Sequence, residues 1–299
     1  MRYGACLGVA VGLLAVLPAA GGETFTIRLK APAVGDTLRV EKEETRTTRT
    51  TVYDAAGQKL GDEQKKQVET LVYTETVLAL SPDGQPASLR RRYEKAQLKS
   101  GHLTNKYAYQ GKTVLIRQGK DGKYRFEYDG GKPITGEDAD VFEREFNGAD
   151  EKFRLGSLLP AKPVPVGAEW PVDMTQPVRD LSRTGRFAVD ANWASGKGQL
   201  SKSTPVKGSQ FGQVVYHMEI PILAMTVSGP VRSPVVPGSK ATFELTLDMC
   251  IDGSRPDSTI NGSAEVKAVT TLSQPGALPG RLVFSHKCDN REVRKAVEK

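Results

Sequence analysis

Three histidines are the residues of this sequence most often used in catalysis or metal binding, and their spacing excludes the common arrangements. His102, His217 and His286 lie far apart, and none belongs to a His-Glu-x-x-His or similar ligand motif. No Gly-x-Ser-x-Gly sequence marks a serine nucleophile. His217 lies within the strand-like segment VVYHMEI, on the polar side, which favours a solvent-facing histidine. We therefore expect a protein that is not an enzyme and that holds neither a metal nor another cofactor.

Cysteine chemistry depends on the compartment, which the N-terminus indicates. An arginine at position 2, an apolar run over residues 5–17 and then small residues are typical of a cleaved secretory signal peptide, and the run is too short to span a bilayer. We predict that residues 1–22, including Cys6, form this peptide. The mature chain is then expected in the periplasm or outside the cell, with no transmembrane segment.

The two remaining cysteines, Cys250 and Cys288, predict one disulfide, because an even pair in an oxidising compartment is usually bonded. Alternation places Cys250 on the polar side of its strand and Cys288 on the side of Phe284, so a bulge or a loop would have to bring them together. A soft-metal site formed by both cysteines and His286 is the alternative.

Alternating aromatic residues suggest another chemistry, the binding of an apolar molecule. Tyr124, Phe126 and Tyr128 share one face of a predicted strand, and Tyr107 and Tyr109 share one face of a neighbouring segment. Together with Trp193, these six residues are the candidate lining of a groove for a lipid tail or a glycan. Simple core packing is the alternative interpretation.

The elements that would position these residues are predicted to be strands. We expect a mainly β protein with long, twisted antiparallel sheets in two halves, duplicated, half-barrel or sandwich-like, around a short helical segment. The expected ranges are an N-terminal β half at 23–134, a helical and proline-rich segment at 135–164, a C-terminal β half at 165–290 and a basic tail at 291–299. It stays open whether the halves are separate modules or two ends of one curved sheet.

Particular segments carry this expectation. TVLIRQ (113–118) and KYRFEY (123–128), joined by GKDG, predict a hairpin, and ATFELTLDMC (241–250) alternates cleanly. RVEKEETRTTRTTVY (39–53) and VETLVYTETVLAL (68–80) predict two long strands, joined by a polar connection. Phe142 and Phe146 lie four residues apart, as on one face of a helix.

The stretch LLPAKPVPVGAEWPVD (158–173) indicates how the halves are joined. Its prolines predict a stiff connection, and its Val-Gly turn resembles that of AVGDTLRVE (33–41), which suggests an internal duplication. Leu-Pro-x-Lys-Pro-Val-x-Val-Gly-x-x-Trp at 159–170 resembles a signature of uncharacterised secreted bacterial proteins with two β-rich halves. A curved sheet with a helix in its mouth is similar to the architecture of periplasmic lipoprotein-localisation-type lipid carriers, a likeness of fold alone.

These expectations favour a non-catalytic envelope protein that binds an apolar or amphipathic ligand, such as a lipid, on a concave β surface. The alternative is a structural module that holds envelope proteins or anionic polysaccharide through the basic residues Arg90, Arg91 and Arg92. The net charge of +7 is spread along the chain, and basic and aromatic residues do not alternate around these arginines. Nucleic acid is therefore not an expected partner.

Overall fold

Long antiparallel strands form most of the protein, which confirms the mainly β class. The structure is a computed structural model that describes residues 23–147, 155–183, 185–228, 231–272 and 280–297. The predicted signal peptide lies outside the described residues. The strands are β1 (Thr24–Phe25), β2 (Thr37–Tyr53), β3 (Lys59–Leu80), β4 (Pro86–Ser100), β5 (Leu103–Lys106), β6 (Thr113–Gln118), β7 (Tyr124–Tyr128), β8 (Val164–Pro165), β9 (Glu169–Pro171), β10 (Phe187–Val189), β11 (Ser195–Val206), β12 (Ser209–Ser228), β13 (Val231–Pro234), β14 (Lys240–Cys250), β15 (Ser258–Leu272) and β16 (Gly280–Ala296). Two α-helices, α1 (Glu137–Phe146) and α2 (Thr175–Arg183), and two short 3-10 helices, Leu155–Leu158 and Ala191–Trp193, complete the described elements.

One sheet of fourteen strands runs through both predicted halves. Its order is β7-β6-β4-β3-β2-β16-β15-β14-β12-β11-β9, with β5 paired to β4 and with β10 and β13 paired to β12. The halves meet where β2 pairs with β16, in a register that places Arg46 opposite Cys288. The hairpin of β6 and β7 and the strand β14 lie where the alternation predicted them. The two halves are therefore two ends of a continuous sheet.

Two apolar clusters cover one face of this sheet, called the inner face below. The first belongs to the N-terminal half and includes Tyr93 of β4 and Phe142 of α1; the second belongs to the C-terminal half and includes Tyr216 of β12 and Leu181 of α2. Polar side chains of β2 separate the two clusters. Between Val40, in the first cluster, and Val52, beside the second, the inner-face positions carry Lys42, Glu44, Arg46, Thr48 and Thr50. The central strands are thus apolar at their ends and polar in between.

The proline-rich stretch docks onto the sheet through Trp170. The indole Nε1 donates a hydrogen bond to the Leu158 carbonyl at 2.8 Å, and β9 pairs with β11. Gly198 of β11 faces the ring so closely that a Cβ at that position would lie 2.5 Å from it. Residues 158–173 are therefore packed against the second cluster at Trp170.

The two Val-Gly turns that suggested a duplication have the same local structure. Gly35 and Gly167 each have a φ of 88°, which glycine adopts without strain. Gly35 donates its N–H to the Val77 carbonyl of β3, and Gly167 donates to the Leu200 carbonyl of β11. Each turn thus leads into a strand beside its partner, and the duplication itself stays a prediction.

Three sequence-based boundaries are wrong. Residues 291–296, expected as a basic tail, continue β16 because their backbone pairs with β2. Residues 59–64, expected as part of a polar connection, begin β3, exposed to solvent but paired with β2. The helix α2 lies within the expected C-terminal β half, where Asp173 accepts a hydrogen bond from the Thr175 N–H at the helix start.

Candidate functional site

Three of the six aromatic residues expected to line a groove pack against aromatic side chains of α1. Tyr109, Tyr124 and Phe126 are at most 7% exposed. Their rings lie 4.9–5.4 Å, centroid to centroid, from the rings of Phe142 or Phe146 of α1. These contacts favour the alternative interpretation, in which the aromatic residues pack in the core.

The other three expected lining residues are more exposed. Tyr107 stacks on Tyr109 at 5.1 Å and donates its hydroxyl hydrogen to Glu69 Oε1 at 2.6 Å. Tyr128 is half-buried under Lys112, and Trp193 is 76% exposed at the end of a 3-10 helix in the C-terminal half. Trp193 is thus separated from the other five. A ligand-lining role for the six residues stays a prediction.

A groove of about 440 Å³ lies elsewhere, between α2 and the inner face of the C-terminal strands. This volume falls within the range of small-molecule sites. Its walls are mainly apolar, and the residues that line it are Pro177, Asp180, Leu181, Met218, Phe243, Glu244, Leu245, Gly262, Ser263, Ala264, Cys288 and Asn290. None of the six aromatic residues is among them.

Small residues on β15 leave room for the groove. Gly262 and Ala264 lie opposite Leu245 and Phe243 of β14, so the two large side chains face short neighbours. A Cβ at Gly262 would meet only Leu245 Cδ1, at 3.5 Å, and the Glu244 carbonyl, at 3.9 Å. Both distances are ordinary van der Waals contacts. The strand would therefore tolerate a side chain at position 262, and that side chain would extend into the groove.

The central end of the groove is polar. Cys288 and Asn290 of β16 line it, and β2 places Arg46 and Glu44 directly opposite them. The Cys288 thiol hydrogen-bonds to Glu44, which also pairs with Arg46. Burial alone would raise the pKa of Glu44, but the charges of Arg46 and Lys42 hold that pKa below its usual range. The groove therefore joins an apolar wall to an ionised network.

We expect Cys288 to be a poor nucleophile, because burial and the neighbouring Glu44 carboxylate raise its thiol pKa to about 11. At pH 8 only about one such thiol in a thousand is ionised, and the thiolate is the reactive form. The rate of alkylation by iodoacetamide, followed at Cys288 by peptide mass spectrometry, should rise about tenfold per pH unit from pH 8 to pH 10. In guanidinium, where the chain is unfolded, the alkylation rate of the same cysteine should level off above roughly pH 9. A rate for the folded protein that levels off at the same pH as in guanidinium would contradict the raised pKa.

The expected disulfide between Cys250 and Cys288 is not formed, and both thiols are free. The sheet register explains this. Cys288 lies opposite Ala264, which lies opposite Phe243, and Cys250 is seven residues further along β14. At about 3.3 Å per residue the two Cα atoms are separated by roughly 20 Å or more, far beyond disulfide reach.

The alternative metal site is not assembled either. His286 Nδ1 lies 2.9 Å from Thr48 Oγ1, whereas Cys250 Sγ lies near Asp252 and Ser254 at the far end of β14. Burial, together with the charges of Arg186 and Arg46, lowers the pKa of His286. Within the described ranges, no group of three or more His, Cys, Asp or Glu residues is placed to hold a metal ion.

The three arginines of the expected basic surface lie on opposite faces of β4. Arg90 and Arg92 are exposed, whereas the Arg91 side chain is 7% exposed on the inner face. Arg91 binds Glu75 at 2.6 Å and Glu145 at 2.8 Å, and it lies over the rings of Tyr73 and Phe146. It is thus a core residue that holds α1 to the sheet.

The groove residues were missed because their contacts depend on the register of distant strands. Phe243 and Leu245 face inward, in keeping with the alternation of residues 241–250, but α2 leaves a gap above them. The segment DMTQPVRDLS (173–182) did contain a signal for this helix. Asp173 precedes a Pro in the first turn, and Val178 and Leu181 lie three residues apart.

Comparisons with known proteins do not assign a family. No protein-family model matches the chain, and no curated protein matches it. Among solved structures, the crystal structure of the P. putida toluene transporter TodX was found at 8% identity, covering 89% of this chain and 91% of that chain. Its TM-score of 0.17 is too low to carry an argument. The resemblance of residues 159–170 to a secreted family stays a prediction.

The helices that the structure describes are short. In the part of the chain that the structure describes, no helix combines the length and the apolar character needed to cross a membrane.

Proposed function

We propose that this protein is a non-catalytic protein of the cell envelope that binds an amphipathic small molecule in the groove between α2 and the sheet. The supporting observation is the groove itself, which joins an apolar wall to the polar end at Cys288 and Asn290. Such a site can bury an alkyl chain, at about 0.8 kcal/mol per methylene removed from water, while the head of the molecule stays near polar groups.

The envelope location in this proposal comes from the N-terminal sequence, and the non-catalytic role comes from the chemistry of the groove. Its lining thiol is held protonated, and its lining among the described residues contains no histidine. Its walls are shaped by Phe243, Leu245 and Leu181, which supply contact area. Binding without conversion of the ligand is the activity that these residues support best.

The substitution Gly262→Phe tests the site, because it fills the groove from a strand position that tolerates a Cβ. We expect the affinity for the uncharged dye N-phenyl-1-naphthylamine to fall at least about tenfold, which corresponds to roughly 1.4 kcal/mol. Fluorescence titration measures this loss, and circular dichroism checks that the strand content is retained.

Gly61→Phe is the matched control. Gly61 also lies in a strand, and a Cβ there would have no atom within 4 Å. Its dye affinity should equal that of the unchanged protein. Equal binding by the Gly262 and Gly61 variants would place the dye elsewhere and refute the groove as the binding site. Native mass spectrometry of protein purified from its own host should show a bound ligand that the Gly262 variant loses.

A further inference from the structure

The groove runs across the strands, along one row of the sheet register. Four of its lining residues are paired side by side on neighbouring strands, and they are Met218 of β12, Phe243 of β14, Ala264 of β15 and Cys288 of β16. Neighbouring strands lie about 4.8 Å apart, so the floor of the groove extends roughly 14 Å from β16 to β12.

The floor of the groove is longer than it is wide. Two residues along β14, β15 and β16 from that row, the lining continues with Leu245, Gly262 and Asn290. Two residues of a strand span roughly 7 Å, about half the length of the floor. Leu181 of α2 lies over this strip. The shape therefore favours an extended chain over a compact ring system.

The end of the groove at β12 is closed by packed side chains. Met218 is 5% exposed, and its partner on β11 is Gly196. A Cβ at Gly196 would lie 2.6 Å from Met174 Sδ and 3.1 Å from both Met218 Cγ and Val172 Cβ. Three apolar side chains therefore converge over Gly196 and fill the space beside Met218. Met218 thus forms the end wall of the groove.

The opposite end, at β16, leads to side chains that water reaches. Arg46 of β2 lies opposite Cys288, and its side chain is 41% exposed. A polar head placed at this end keeps its contact with water, which avoids the cost of burying a polar group without a partner. The chain of an amphipathic ligand would therefore point from β16 toward Met218.

We propose that Met218 sets the length of the alkyl chain that the groove accommodates, at about twelve carbons. This inference rests on the proposed function and specifies its ligand class, a molecule with one unbranched chain of medium length. Atoms three bonds apart in an extended chain are separated by about 3.8 Å, so about twelve carbons cover the floor. Methylene groups up to that length are buried against Phe243 and Met218, whereas additional ones stay outside.

The test uses octanol, decanol, dodecanol and tetradecanol below their solubility limits, because these alcohols share one small uncharged head. Displacement of N-phenyl-1-naphthylamine reports the affinity of each. From octanol to dodecanol the affinity should rise between about twofold and fourfold per methylene, where fourfold corresponds to about 0.8 kcal/mol. From dodecanol to tetradecanol the total rise should be less than about twofold, since the added methylenes are not buried. A rise that continues at the earlier rate would overturn the length limit.

Met218→Ala connects the limit to the end wall. The substitution removes three heavy atoms and lengthens the floor by about 3.8 Å, which is room for two or three carbons. Tetradecanol should then bind at least about fourfold more tightly than dodecanol. Met249→Ala is the matched control, because Met249 is also buried in β14 but lies outside the described lining of the groove. Its ratio of the two affinities should match that of the unchanged protein.

The outcomes separate this inference from the proposed function. The ratio is measured within one variant, so a general loss of stability does not imitate the effect. An unchanged ratio in Met218→Ala protein that keeps its strand content by circular dichroism would refute Met218 as the end wall. If that variant does not fold, the alcohol series on the unchanged protein decides, because the length at which the affinity stops rising is measured there.

If the affinity rises without a limit and Gly262→Phe abolishes binding, the groove is a binding site and the length limit is refuted. If neither the dye nor any of the alcohols binds, both proposals fail.

Discussion

Replacement of Arg91 by methionine is expected to lower the free energy of unfolding by roughly 3 kcal/mol, toward the lower end of the range for breaking a buried ion pair. The guanidinium is 7% exposed and binds Glu75 and Glu145, so its removal leaves two carboxylates without their cation. The loss is limited because Glu145 is 40% exposed and water can solvate it. Methionine keeps most of the apolar contact with Tyr73 and Phe146.

Urea unfolding followed by circular dichroism measures this change. Arg90→Met is the matched control, since Arg90 is the adjacent residue of β4 but lies exposed on the other face. Its free energy of unfolding should change by no more than about 0.5 kcal/mol. Similar midpoints for the two variants would show that Arg91 does not hold α1 to the sheet.

Replacement of Trp170 by alanine is expected to cost about 3–5 kcal/mol, the usual range for removing a buried large aromatic side chain. The indole is 8% exposed, lies edge-on to Tyr216 at 6.2 Å and fills the space above Gly198. Its loss leaves a cavity and takes the donor from the Leu158 carbonyl. The proline-rich stretch would then lose its main contact with the second cluster.

The two tryptophans of the chain allow a direct control. Trp193 is 76% exposed, so Trp193→Ala should change the free energy of unfolding by no more than about 0.5 kcal/mol. Gly198→Val tests the same contact from the other side, because its Cβ would overlap the indole ring. If Trp170→Ala were as mild as Trp193→Ala, the docking of residues 158–173 would contribute little to stability.

The sequence predicted several elements closely. Alternation identified β2, the β6 and β7 hairpin and β14, because inward and outward positions of a strand repeat every two residues. The spacing of Phe142 and Phe146 identified α1, since residues four apart lie on one face of a helix. These patterns depend only on neighbours in the chain.

The candidate site was not predicted, because its parts come from distant segments. Phe243, Gly262 and Cys288 lie on three strands, and α2 was missed within a segment expected to be sheet. The aromatic residues of β7 and of the turn after β5 gave a stronger pattern than the groove residues, but Phe142 and Phe146 of α1 pack on Tyr109, Tyr124 and Phe126. The pairing of Cys250 with Cys288 followed from compartment chemistry, which contains no information on distance.

The sequence by itself determined that this protein is built from long strands with a short helix around Phe142 and Phe146, since both periodicities are local. Only the tertiary structure decided that the halves form one sheet, that Arg91 is buried and that a groove lies beside α2. The physical reason is strand register. Each strand pairing fixes how far one strand is shifted along its neighbour. Five successive pairings from β2 to β11 therefore bring together side chains that no local sequence pattern relates.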